Sequence, residues 1–120
     1  MSRAWALKGV DLERTVIMGL DFAIDELYST GWSALDTNDC DYLPDGRCYP
    51  RPVRVSREFA EAGYDLTIRH VQLFDCFRAE WTGRDEESSG AVVGRGEAEA
   101  AVYALAQLRR RVFAAAVASA

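Results

Sequence analysis

Residues that carry chemistry are scarce in this chain. Its 120 residues contain one histidine, His70, one lysine, Lys8, and three cysteines, Cys40, Cys48 and Cys76. Three cysteines cannot all pair within one chain, and these lack the close Cys-x-x-Cys spacing of a structural zinc site. Free thiols in a reducing compartment follow, with no metal and no cofactor expected. The acidic segment Asp36-Thr-Asn-Asp-Cys-Asp41 also fails the calcium-loop template: Cys40 stands where an oxygen ligand belongs, and Asp41 replaces the glycine. No Gly-x-x-x-x-Gly-Lys phosphate loop is present. No apolar run approaches the roughly 20 residues of a membrane span. No basic segment precedes an apolar stretch near Met1, so a soluble, cytoplasmic protein is expected. A Cys76–His70 pair would need a cleft and an oxyanion donor, and Asp75 and Glu80 form no recognisable acid–base pair. The expectation is a protein that is not an enzyme.

Hydrophobic residues make up 49% of the chain, too many for disorder, and the length suits one core. The reading is a single α+β domain over residues 1–120. The net charge of −5 is unevenly spread: residues 1–46 carry −6, residues 47–69 carry +2 and residues 70–120 carry −1. An acidic first half opposes nonspecific nucleic-acid binding, which needs a basic face for phosphates.

A first helix is predicted from Asp11, an N-cap type, to Thr30-Gly31. Leu12, Val16, Leu20, Ile24 and Leu27 recur at helical spacing with Ala23 beside them. Ile17, Met18 and Phe22 widen that stripe, which points to cover on more than one side. Residues 32–55 read as a long irregular insertion loop, with a turn at Pro44-Asp-Gly46 and with Pro50 and Pro52 excluding a helix. Ser56 is the expected cap of a two-turn helix ended by Gly63. Tyr64, Leu66, Ile68 and His70 alternate with polar residues, as do Phe77, Ala79 and Trp81, so two strands joined tightly near Val71–Phe74 form an antiparallel hairpin. A third strand, Gly90–Gly96, runs into the alanine-rich helix Glu97–Arg111, whose glutamates open it and whose arginines close it. The predicted architecture is a three-stranded antiparallel sheet against two long helices, in the order α-loop-(short α)-β-β-β-α.

That α-β-β-β-α order resembles the double-stranded-RNA-binding domain over about residues 64–108. Tyr64, Phe77, Gly94-Arg-Gly96, Ala98-Glu-Ala-Ala101 and Ala104-Leu-Ala-Gln-Leu108 carry the similarity. The resemblance implies the architecture alone. Where the family places phosphate-gripping lysines, this chain has Gly96-Glu97-Ala98-Glu99, so duplex nucleic acid is not an expected partner.

Two groups of residues are candidates for binding. Arg51, Arg54 and Arg57 are spaced by three, and an extended polyproline-type path set by Pro50 and Pro52 would align them to meet a small anionic or phosphorylated ligand, with Arg109 as a fourth contributor. Alternatively they neutralise the acidic stretch Asp36–Asp45. Tyr103, Arg110, Phe113 and Val117 form a stripe beside the core positions Ala101, Leu105, Leu108 and Val112, with the aromatic–arginine composition of an interface. A homo-oligomer is expected from it. The overall functional expectation is a non-catalytic binding protein of the inhibitor or adaptor type, of the small acidic kind that bacteria and phages use. It would occupy a protein partner; the alternative is a binder of a phosphorylated ligand or nucleotide.

Overall fold

The computed structural model describes residues 19–34, 36–85 and 88–119, with side chains described as far as residue 111. Helix α1 is described over 19–29; the predicted start at Asp11, with Leu12, Val16, Ile17 and Met18, lies outside the described residues. It stops where the sequence requires. Thr30 and Gly31 donate back to Leu27 and Tyr28, and Gly31 takes the left-handed conformation at φ +88°. Ala23, Ile24 and Leu27 are buried, as their spacing predicts.

The stretch predicted to be an irregular loop is a small ribbon. Strands β1 (Cys40–Tyr42) and β2 (Cys48–Pro50) pair antiparallel around the turn at Pro44–Gly46. Helix α2 then spans Pro52–Glu61, ten residues instead of the two turns expected from Ser56. Pro52 starts this helix instead of excluding it, because a first-turn residue has no intrahelical acceptor for an N–H and needs the φ that proline already has. Val55 and Phe59 are its buried residues, and Gly63 ends it at φ +91°.

Three strands follow in spatial order β3-β4-β5: Tyr64–Val71, Cys76–Gly83 and Ser89–Gly94, all antiparallel. A 3-10 turn, Gln72–Phe74, joins the first two, and Asp75 closes it with a left-handed φ of 49°. The predicted alternation holds: Leu66 and Ile68 sit against the core, while Ala79 and Trp81 are buried within it. His70 departs from it. Its ring is exposed, with Phe77 at 4.9 Å and Asp75 Oδ1 3.0 Å from Nε2.

Helix α3 (Glu97–Ser119) is the centre of the domain. It packs against all three strands of this sheet and against α2. Helix α1 covers another side: Phe22 meets Tyr103 edge-on at 6.2 Å, and Glu26 pairs with Arg110. Ala100, Ala101, Val102, Ala104, Leu105, Ala106 and Leu108 are consequently all buried, a run too continuous for one stripe. The fold is thus α+β, as predicted, but the described residues form three helices and two antiparallel sheets. As far as Leu108, the breadth of apolar cover on α3 is accounted for within the chain.

Close approach between α3 and the sheet rests on Gly94, where a Cβ would come within 2.6 Å of the Ala100 backbone nitrogen. Backbone cannot yield as a flexible side chain does, so Gly94→Ala should destabilise by about 1–3 kcal/mol in urea unfolding. At the same helix end, Glu99 turns inward. One of its oxygens is buried without a hydrogen-bond partner, and a Cβ on Gly19 would meet it at 2.6 Å. Burial pushes this carboxyl above its ordinary pKa, although the Arg95 backbone N–H and the Arg95 charge pull the other way. A raised folded pKa means that the contribution to stability is fully present below the unfolded value and is lost as pH rises through the folded one. Glu99→Gln should therefore raise the melting temperature at pH 7, with the gain shrinking as pH falls through the carboxylate range.

Candidate functional site

Ion pairs organise the whole face formed by the ribbon and α2. Starting α2 at Pro52 puts Arg54 and Glu58 one turn apart, and Arg54 Nε donates to Glu58 Oε2 at 3.0 Å. The other end of the same guanidinium reaches back into the preceding segment. Nη1 donates to the carbonyls of Asp36 at 2.8 Å and Asn38 at 3.1 Å, and lies 3.2 Å from Cys40 Sγ. The guanidinium also lies 5.4 Å from the centre of the Trp32 ring, whose Nε1 donates to both Glu58 oxygens at 3.3 Å. Only 11% of the Arg54 side chain is exposed.

The remaining predicted arginines divide. Arg57, one turn after Arg54, pairs with Asp39 at 3.3 Å and stays half exposed. Arg109 reaches from α3 to the end of α1, donating to Thr30 Oγ1 at 2.8 Å and to the Thr30 carbonyl at 3.3 Å. Arg54, Arg57 and Arg109 thereby line one cleft of about 580 Å³, together with Gly31, Trp32, Ser33, Asp36, Glu58, Glu61 and Ala62. Arg51 stands apart at the extended N-cap of α2, 3.8 Å from Asp41. The polyproline-type stripe does not form. Pro50 belongs to β2 and Pro52 opens α2, so the three-residue spacing of Arg54 and Arg57 is helical.

The arginines do neutralise the acidic segment. Asp36, Asp39 and Asp41 meet Arg54, Arg57 and Arg51, and Arg47 gathers Asp21, Asp25 and Asp45. The cleft lining itself is balanced, with three guanidinium groups facing Asp36, Glu58 and Glu61. Among the described residues, its lining holds no histidine, cysteine or lysine, and Ser33 is the only hydroxyl. Such a wall can hydrogen-bond a ligand of mixed charge. A polyanion would have to displace carboxylates already paired with these arginines.

Next to the cleft, Tyr28 donates its hydroxyl to the Cys48 carbonyl at 2.5 Å. Burial and the neighbouring Cys48 push its phenol up to about 12. Burial also raises the Cys40 thiol, against the opposing charge of Arg54, which leaves it a poor nucleophile. Cys40 and Cys48 sit in the ribbon, whereas His70 and Cys76 flank the turn of the β3–β4 hairpin. Among the described residues, no group of three histidine, cysteine or acidic side chains is arranged to hold a metal ion, and no helix is long and apolar enough to cross a membrane.

Of the predicted interface stripe, Tyr103 and Arg110 face α1 through Phe22 and Glu26, while the side chains of Phe113 and Val117 lie outside those described. A different apolar surface was missed. Leu73 and Phe74, at the tip of the β3–β4 hairpin, are 83% and 73% exposed. Two large apolar residues in a tight turn, where glycine, asparagine or proline is usual, are the sequence signal that marks them. Phe74 borders a second cavity, of about 440 Å³, shared with Gly19, Asp75, Cys76, Val93, Gly94, Arg95 and Glu99.

No family model, curated protein or solved structure matches this chain.

Arg54→Lys tests whether the Arg54 network holds the ribbon. A lysine keeps the charge but loses the fork and the flat stack on Trp32. Destabilisation of about 3 kcal/mol is expected, the scale for breaking a mostly buried charge pair. Arg57→Lys, at a half-exposed pair, should stay within about 0.5 kcal/mol of wild type in the same denaturation experiment.

Proposed function

We propose that this domain is a non-catalytic protein-binding module whose partner docks on the tip of the β3–β4 hairpin. The exposure of Leu73 and Phe74 carries the reading. Large apolar side chains held out in water by a short, well-defined turn resemble the anchor residues of an interface, which fill a pocket on the other protein. The turn is fixed by the left-handed Asp75, whose N–H returns to the Gln72 carbonyl at 3.2 Å, so little ordering remains to be done on docking. The matching partner surface is an apolar pocket. A basic patch is less suitable, because the acidic segment that would meet it is largely engaged by Arg47, Arg51, Arg54 and Arg57.

A small phosphorylated ligand in the arginine cleft is the second reading, favoured by the convergence of Arg54, Arg57 and Arg109 and opposed by the balanced lining. Duplex nucleic acid is left out of the proposal: the chain carries −5, and Glu97 stands exposed at the start of α3.

The test compares wild-type protein with a Leu73→Ser/Phe74→Ser variant as immobilised baits. Both residues are surface-exposed, so the variant should keep its melting temperature. A partner held by the wild type should bind the variant at least about thirtyfold more weakly, as loss of an anchor worth about 2 kcal/mol requires. Equal retention by both baits would remove the tip from the function. A rise in melting temperature with nucleotides or sugar phosphates that is lost in Arg57→Ala would move the function to the cleft.

A further inference from the structure

We propose that the outer edge of β5 is a self-association site, where a second copy of the chain adds its own β5 antiparallel and joins the two three-stranded sheets into one. Among the described residues, β5 is the last strand of its sheet. The bond from the Gly83 N–H to the Ser88 carbonyl sets the phase of the ladder. In an antiparallel pair the inward-bonded residues alternate, so Gly90, Val92 and Gly94 bond inward, opposite Trp81, Ala79 and Phe77. The backbone groups of Ser89, Ala91 and Val93 then point away from the sheet. Arg111 confirms this phase independently, since its Nη1 reaches the Ser89 carbonyl from outside at 2.9 Å. With that carbonyl taken, the outward stretch that no described residue bonds is Ala91–Val93, and it is symmetric about Val92.

That symmetry selects the occupant. A two-fold axis at Val92 sets Ala91 opposite Val93 of the other copy, and Val93 opposite its Ala91. Each of these pairs exchanges two backbone hydrogen bonds and leaves no outward group of Ala91 or Val93 unbonded. Val92 meets its own copy on the helix side, in the closer, non-bonded type of pair, and Ala91 and Val93 meet on the open face. Every cross-strand contact made this way is apolar. The edge also lacks the usual guards against such pairing: Ser89-Gly-Ala-Val-Val-Gly94 contains no charge and no proline, and Val93 is 49% exposed. The opposite edge, β3, carries Asp65, Arg69 and His70 and is guarded. Val93 and Phe74 border the same smaller cavity, but the pairing uses backbone groups of β5 whereas docking uses the Leu73 and Phe74 side chains, so Val93→Pro and Leu73→Ser/Phe74→Ser separate self-association from partner docking.

Light scattering on the full chain, followed from micromolar to millimolar concentration, tests the proposal. The expected result is a concentration-dependent mass approaching twice 13.3 kDa. Val93→Pro removes an N–H that the monomer's ladder does not use, and should return the mass to that of one chain while the circular dichroism is unchanged. Val93→Lys, which leaves the backbone intact and places a charge on the exposed edge, should do the same. A monomer at every concentration would overturn the proposal. So would a dimer that persists in both folded variants.

Discussion

One guanidinium group decides how the first half of this domain is arranged. Arg54 lies on a helix, yet two of its bonds go to the backbone of the segment before the ribbon, at Asp36 and Asn38. A loop carbonyl that loses its water must find a donor, and a mostly buried guanidinium must fill its own donor sites. Each requirement answers the other. Glu58 supplies the countercharge, and Trp32 supplies a flat apolar surface while donating its own N–H to the same carboxylate. Lysine has neither the fork nor the flat face, so the position is specific to arginine.

This arrangement explains why the segment was opaque in the sequence while the second half was legible. The strands from Tyr64 onward and the alanine-rich helix declare themselves by period, because each buries one face against the same core. The ribbon strands have three residues apiece, too few to establish any alternation. Pro52 was misread because its effect depends on position: it is destructive inside a helix and favourable in the first turn. The arginines were legible as residue types, and the sequence allowed them to neutralise the acids around Asp36–Asp45. Their convergence with Arg109 depends on α3 crossing to the end of α1, and the Trp32–Glu58 contact spans 26 residues. Neither is encoded in local spacing.

Helix α3 shows the same limit from the other side. Its apolar residues spread too widely for one sheet face, and a second subunit was a reasonable inference. As far as Leu108 the chain surrounds the helix with its own elements. Alanine at positions 100, 101, 104 and 106 keeps the cylinder narrow, and Gly94 lets the first turn approach the strand. Tyr103 is half-buried against Phe22 of α1, while Arg110 stays exposed and pairs with Glu26 across the helix edge.

Taken as a whole, the domain is satisfied at one end and unsatisfied at the other. Around the ribbon, α2 and the end of α1, Arg47 holds Asp21, Asp25 and Asp45, and Arg51, Arg54 and Arg57 hold Asp41, Asp36, Glu58 and Asp39, so these charges are already paired and exchanging them for a partner's gains little. At the far end of the larger sheet the balance is different. The hairpin tip extends Leu73 and Phe74 into water, and Val93 follows beside Phe74 along the wall of the smaller cavity. The neighbouring edge of β5 keeps backbone groups that no described residue uses. Apolar surface and open ladder groups both gain from removal from water, whereas exposed ion pairs that are already formed gain little. The surface with most to gain from removal from water is therefore the hairpin tip with the β5 edge, not the ribbon face with its paired charges.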